Sequence, residues 1–261
     1  MKLFFRKFGQ GQPLIILHGL FGQSDNWNSL AKQFSEQGFE VYAVDQRNHG
    51  LSPHSDVWNY KAMSADILEL IKDNDLQNVI LLGHSMGGKT AMQFAIDHPE
   101  YLDKLIVADI APKYYPIHHQ GVLEALQAVD FNVVKTRKEV EEVLSKYISD
   151  FGTKQFLLKN IFWTDEEEMA WRFNLNVIIQ QIENVGKEVE DVSEAPSTDI
   201  VCEVPTLFIR GEYSNYILDE DLDLIQEIFP HSRLETIVGA GHWVHAEKPA
   251  AFFEAVMKFA K

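Results

Sequence analysis

The chain has 261 residues, 46% of them hydrophobic, which is enough to bury the core of one α/β domain carrying an insertion. Its formal net charge of -16 argues against nucleic-acid partners and anionic membrane surfaces, both of which need clustered Lys and Arg. A single cysteine, Cys202, excludes an internal disulfide and a metal site built of cysteines. It sits beside Val201 and Val204 and reads as packing in a reducing compartment. The first residues lack the apolar run and cleavage site of a signal peptide, and no later run reaches membrane-spanning length, so a cytoplasmic protein without a membrane span is expected.

In chain order, residues 3–8 read as a short edge strand and residues 13–17 as a buried one, closing on the loop His18-Gly19-Leu20-Phe21-Gly22. Ser24 is the expected cap of a helix whose apolar positions Trp27, Leu30, Ala31 and Phe34 recur at helical spacing before Gly38. Residues 39–44 form the next strand, followed by the polar turn Asp45-Gln46-Arg47-Asn48-His49-Gly50 and a helix bearing Tyr60, Met63, Ile67, Leu68 and Ile71. Residues 79–90 then run from an apolar strand into Gly83-His84-Ser85-Met86-Gly87 and a helix. A serine on so sharp a strand-to-helix turn forces the two elements close together, and only small residues fit two positions on either side. Gly83 and Gly87 stand there, so the stretch reads as a nucleophile elbow rather than an ordinary strand-helix junction. Residues 105–108 make a fifth strand, ending at Asp109. Strands alternating with helices imply a mostly parallel sheet covered on both faces.

From Lys113 to Thr198 that alternation stops. The segment reads as a succession of helices, two of them started by the capping-box pairs Thr136 with Glu139 and Thr164 with Glu167, and it ends in a hinge at residues 194–198. The expected domain plan is a core of residues 1–112 and 199–261 with a helical cap of residues 113–198. The cap's aromatic side chains are expected to supply mostly its own small core, with a few closing an apolar cavity over the elbow. Among the residues expected to face a substrate are Phe21, Tyr114, Trp163 and Trp243. The sheet resumes at residues 205–209. A helix over 219–229 with Asp219 as cap, a strand over 233–238, the loop Gly239-Ala240-Gly241-His242-Trp243 and a final amphipathic helix complete the chain.

A serine hydroxyl needs a base within hydrogen-bonding reach and a carboxylate that holds the base in the right tautomer. Of the ten histidines, His242 is the expected base, because its loop follows the last strand at the carboxyl edge of the sheet. His245 is the rival to test. His84 is expected to point away, His18 and His49 to bond backbone in turns, and the pair His118 and His119 to sit in a solvated turn rather than bind metal. For the acid, Asp109 ends a buried strand on the correct edge. The loop after residues 207–209, another place for a carboxylate, offers Ser214 or Asn215 in the expected slot, with Glu212 too early. Asp109 therefore leads, and the order Ser, Asp, His is kept. Two backbone amides must meet the developing oxyanion. Met86 supplies one, and the loop after the second strand the other, from Leu20 ahead of Phe21.

The motifs quoted above, together with Asp45 to Pro53, Asp109-Ile110-Ala111-Pro112 and residues 239–246, resemble the α/β-hydrolase superfamily. Within it they resemble the YbfF-like carboxylesterases related to the eukaryotic abhydrolase-domain-11 proteins. The resemblance is nearly full length. It implies serine esterases with the acid after the strand before the cap, hence at Asp109, acting without a cofactor on short acyl esters and in some cases acyl-CoA thioesters. The cap departs from the pattern. Its nine Lys and Arg against fifteen Asp and Glu give no cradle for a nucleotide phosphate, so simple esters rank above thioesters. The expected function is a serine carboxylesterase for short- to medium-chain acyl esters, with no metal, working as a monomer or homodimer. Alternatives are an acyl-CoA thioesterase, a carbon–carbon bond hydrolase or a perhydrolase with the same triad. A non-catalytic ligand-binding module is disfavoured because every triad member has a candidate.

Overall fold

The computed structural model describes residues 1–190 and 200–261. The chain opens with β1 (Phe5–Phe8) and β2 (Gln12–Leu17), then α1 (Asn28–Ser35), β3 (Phe39–Val44), α2 (Tyr60–Asp73), β4 (Val79–His84), α3 (Met86–Asp97) and β5 (Leu102–Ala108). After the insertion come β8 (Thr206–Gly211), α9 (Leu222–Ile228), β9 (Ser232–Ile237), α10 (Val244–Glu247) and α11 (Pro249–Ala260). These strands build one seven-stranded sheet in the order β1-β3-β2-β4-β5-β8-β9, parallel except for β1, which pairs antiparallel with β3 at one edge.

The near-continuous apolar strands follow from burial on both faces. Ile15 and Leu17 join one core with Ile67 of α2, Phe94 of α3 and Ile225 of α9, while their neighbours Leu14 and Ile16 join another with Phe34 of α1 and Phe252 of α11. Strand order fixes where chemistry can occur. From β2 the chain steps to β3 on one side and then crosses back to β4 on the other, so the crevice at the carboxyl ends of β2 and β4 is the topological switch point. The loop beginning at His18 and the bend at Ser85 both leave the sheet there.

Between β5 and β8 the described part of the insertion holds α4 (Gln120–Gln127), α5 (Arg137–Leu144), α6 (Phe151–Leu158), β6 (Ile161–Trp163), β7 (Met169–Trp171), α7 (Leu175–Gln181) and α8 (Glu183–Gly186). The expected capping box of Thr136 and Glu139 starts α5. Thr164 and Glu167 do not start a helix. They form the turn of the β6–β7 hairpin, where the Glu167 amide donates to the Thr164 carbonyl at 3.0 Å and Glu167 takes a φ of 62°. The capping-box spacing is met equally by a tight turn, and Phe162 and Trp163 favour strand. The hinge expected at residues 194–198 lies outside the described residues.

Side chains of the described insertion make up most of one core cluster, which residues of the body complete. Leu123, Val140, Leu144, Leu157 and Ile178 pack in one cluster with Phe21, Trp58, Tyr60, Met63 and Met86 of the body. Lys89, fully buried, donates from Nζ to the carbonyls of Lys113 at 2.5 Å and Lys187 at 2.7 Å, joining both ends of the described insertion to α3; burial pushes its pKa down to about 7. Two smaller expectations also change. The Ser24 amide donates to Asp45, and the helical stretch there begins after Gln23. Asp219 is exposed and pairs with Arg210, while the Asp221 carboxylate accepts the Leu218 amide.

Candidate active site

At the end of β4 the backbone of Ser85 takes φ 54° and ψ -119°, a conformation that side chains other than glycine rarely adopt. The bend leaves no room around it. A Cβ on Gly83 would lie 2.1 Å from the Gly87 carbonyl oxygen, and one on Gly87 would lie 2.5 Å from that of Leu17. The glycines flanking the serine are thus required by close approach of β4, α3 and β2.

Ser85 Oγ lies 3.0 Å from Nε2 of His242, and His242 Nδ1 lies 2.7 Å from Oδ2 of Asp109. Asp109 is fully buried at the end of β5, with φ 54°. Its carboxylate also accepts the Gly211 amide at 3.0 Å and the Ser214 hydroxyl. These donors hold the carboxylate beside His242 Nδ1, and His242 Nε2 faces the serine. His245 does not compete: its ring stacks on Trp27 at 4.1 Å. Asn215 is exposed, so the β8 loop supplies a hydroxyl to Asp109 rather than a rival acid.

Beside the serine stand Met86, in the first turn of α3, and Leu20, in the loop after β2; both border the space next to Ser85. The Phe21 amide is turned to His49 Nε2 at 3.3 Å. Phe21 itself has φ 59°, and its carbonyl accepts from Asn160 of the insertion at 2.9 Å. His18 and His49 make backbone bonds, as their turns suggest: Nδ1 meets the Gly19 carbonyl at 2.8 Å in one and the Arg47 carbonyl at 3.0 Å in the other. His84 does not point away from the site. Its Nε2 reaches the carbonyl of His242 at 2.9 Å, buttressing the loop that carries His242.

A cavity of about 480 Å³ opens beside Ser85 and His242. Phe21 and Trp243 line it, as does Phe156 of α6. Tyr114 and Trp163 do not: both are exposed. The inward ring next to Tyr114 is Tyr115, whose hydroxyl accepts the Ala111 amide at 2.9 Å. Trp163 sits at the end of a two-stranded hairpin with one face to solvent. His118, exposed to solvent as expected, and His119, half-buried, both line the cavity. His118 Nε2 meets the Tyr216 hydroxyl at 2.6 Å, and the Tyr216 ring stacks on His242 at 4.0 Å. Nothing local in the sequence marks Tyr216 or Asn160, because Tyr216 meets His118 from 98 residues away and Asn160 meets Phe21 from 139.

Burial sets the charge state of the surrounding imidazoles. Desolvation lowers the pKa of His18 to about 4 and of His49 and His245 to about 3, and holds His84 well below its ordinary value. These rings stay neutral in the folded protein while their unfolded counterparts take up protons below about pH 6.5, so stability is lost as pH falls from there toward 4. Each contributes a loss of up to about 1.4 kcal/mol per pH unit in that window. Urea midpoints are therefore expected to drop steeply from pH 7.5 to pH 5; a flat profile would mean that the rings are charged in the fold.

The profile of the α/β-hydrolase fold matches residues 12–249. The chain belongs to the α/β-hydrolase family. A marine microorganism esterase of known structure is 46% identical, superposes with a TM-score of 0.94 and shares 99% of both chains. Esterase YbfF of Escherichia coli K12 is 36% identical over 249 residues, covering 95% of this chain and 92% of the relative. The sn-1-specific diacylglycerol lipase ABHD11 of Danio rerio is 36% identical over 260 residues, covering 96% and 79%. This α/β hydrolase is accordingly of the esterase and lipase type, a carboxylic ester hydrolase. Among its described residues no helix is long and apolar enough to cross a membrane.

Proposed function

We propose that this α/β hydrolase is a serine carboxylesterase that cleaves short- to medium-chain acyl esters through an acyl-enzyme. The observation that carries the reading is the unbroken hydrogen-bonded line from Ser85 through His242 to Asp109, at 3.0 Å and 2.7 Å. His242 Nε2 takes the hydroxyl proton as Ser85 Oγ attacks the ester carbon, and Asp109 stabilises the imidazolium that results. The amides of Leu20 and Met86 receive the oxyanion. His242 then hands its proton to the alcohol oxygen as the bond to the acyl carbon breaks. Water, deprotonated by the same imidazole, releases the acid and restores Ser85. Residues 113–198 act as the cap, supported by the cavity lining from Val122, Thr153 and Phe156. The lone buried Cys202, its thiol pushed up to about 11, supports a reducing, cytoplasmic setting. Thioesterase, carbon–carbon hydrolase and perhydrolase chemistry would use the same side chains, and no further observation favours them.

A fluorophosphonate probe is expected to label one residue per chain, Ser85, with parallel loss of hydrolysis of p-nitrophenyl acetate and butyrate. Acyl-CoA thioesters and ring-cleavage diketones should turn over more slowly than these esters. Intact turnover in a fully labelled protein would sink the reading.

A further inference from the structure

Two cavities meet at Ser85, and they differ greatly in size. The larger, about 480 Å³, has His242, Trp243, His245 and Trp27 in its wall. The smaller, about 20 Å³, is walled by Met86, Ile110, Tyr60, Ile117 and Val185. Ser85 and Leu20 border both, whereas His242 borders only the larger.

The proton transfer decides which part of an ester goes where. In the tetrahedral adduct the former carbonyl carbon carries Ser85 Oγ, the oxyanion, the acyl chain and the alcohol oxygen. When the bond to the alcohol oxygen breaks, its electron pair leaves with that oxygen, which must collect the proton held on His242 Nε2. The alcohol oxygen therefore lies on the His242 side. With the oxyanion directed to the amides of Leu20 and Met86, the acyl chain is left the direction away from His242. Resting on the esterase reading above but narrowing its acyl range to the short end, we infer that the small cavity is the acyl subsite and the large cavity receives the alcohol, so that the preferred substrates are acetyl and propionyl esters of bulky, largely apolar alcohols.

Size and stiffness set the limit. About 20 Å³ holds roughly one or two water-sized groups, the bulk of a methyl or ethyl. Its wall is cross-braced: the Tyr60 hydroxyl donates to the Val185 carbonyl at 2.7 Å, and the Tyr115 hydroxyl donates to the carbonyl of Tyr216. A longer acyl chain would have to break these ties. The large cavity has room to spare, and its rings from Trp27, Phe156 and Trp243 suit an apolar alcohol.

Two ester series separate the subsites. With p-nitrophenol held constant, kcat/KM is expected to fall about tenfold or more for each methylene added beyond propionate. With acetate held constant, phenyl and naphthyl esters should agree within about tenfold, the lower bound set for one misfitting methylene. Ile117→Ala, or Val185→Ala should the first fail to fold, is expected to raise the butyrate-to-acetate ratio by about tenfold while leaving the naphthyl-to-phenyl ratio unchanged. Octanoate turned over as well as acetate, or discrimination appearing in the alcohol series instead, would overturn the subsite assignment alone. Failure to hydrolyse any ester, with no label on Ser85, would overturn it together with the esterase reading.

Discussion

Ser85→Ala is expected to lower kcat/KM for p-nitrophenyl acetate by about 10⁴-fold or more, and to do so without unfolding the protein. The only side-chain hydrogen bond of Ser85 runs to His242 Nε2, among the described residues, so its removal leaves the sheet, the elbow glycines and the Asp109 cluster in place. Backbone strain at the bend is borne equally by alanine, since both side chains carry a Cβ at a φ of 54°. On the proposed reading the amides of Leu20 and Met86 still receive the oxyanion, so a residual rate above that of water is expected from them alone. Three measurements check the claim together: initial rates, fluorophosphonate labelling and the thermal midpoint. Loss of rate and label with a midpoint within a few degrees of wild type supports Ser85 as nucleophile. Wild-type turnover would place the nucleophile elsewhere, and a collapsed midpoint would shift the test to Ser85→Gly, which relieves the same backbone bend.

The elbow was legible because its constraint is local: strand, bend and helix lie within a dozen residues, and the glycines are there because backbones touch. The carboxyl-edge positions of His242 and Asp109 were legible for a related reason, since in a parallel sheet each strand end points to the same rim. Asp109 could be weighed against the β8 loop only because Ser214 and Asn215 carry no charge. What the spacing could not disclose was that Ser214 turns back to donate to Asp109 across 105 residues. The insertion was the least legible part. Tyr114 and Tyr115 are adjacent aromatics with equal propensity, and which one faces inward is decided by the hydrogen bond of Tyr115 to the Ala111 amide. Thr164 and Glu167 have the spacing of a helix start but fall between two short strands whose pairing, Trp163 with Met169, overrides local signals. The cluster that joins insertion and body likewise forms between segments distant in the chain, through Phe21, Met86 and Leu157. Helical periodicity can show which face is apolar, but not what that face meets.

Asp109→Asn is the companion test, with an expected loss of about 10³- to 10⁴-fold in kcat at pH 7 and a smaller change in KM. The substitution keeps size and shape, and the amide oxygen can still accept the Gly211 amide. What changes is the atom facing His242. A carboxylate accepts from Nδ1–H and leaves Nε2 bare to take the serine proton; an amide NH₂ in that place donates to Nδ1 and forces the proton onto Nε2, the wrong side for attack. The negative charge that stabilises the imidazolium is lost as well. Ser214→Ala is the control that separates orientation from charge. It removes one donor from the carboxylate and keeps the charge, so a loss nearer tenfold is expected, in line with one hydrogen bond of about 1 to 1.5 kcal/mol. Asn215→Ala, altering an exposed side chain on the same loop, should stay close to wild type. If Asn215→Ala were crippling and Asp109→Asn mild, the group orienting His242 would belong to the β8 loop, and the buried carboxylate at the end of β5 would be a structural anchor for the Gly211 turn.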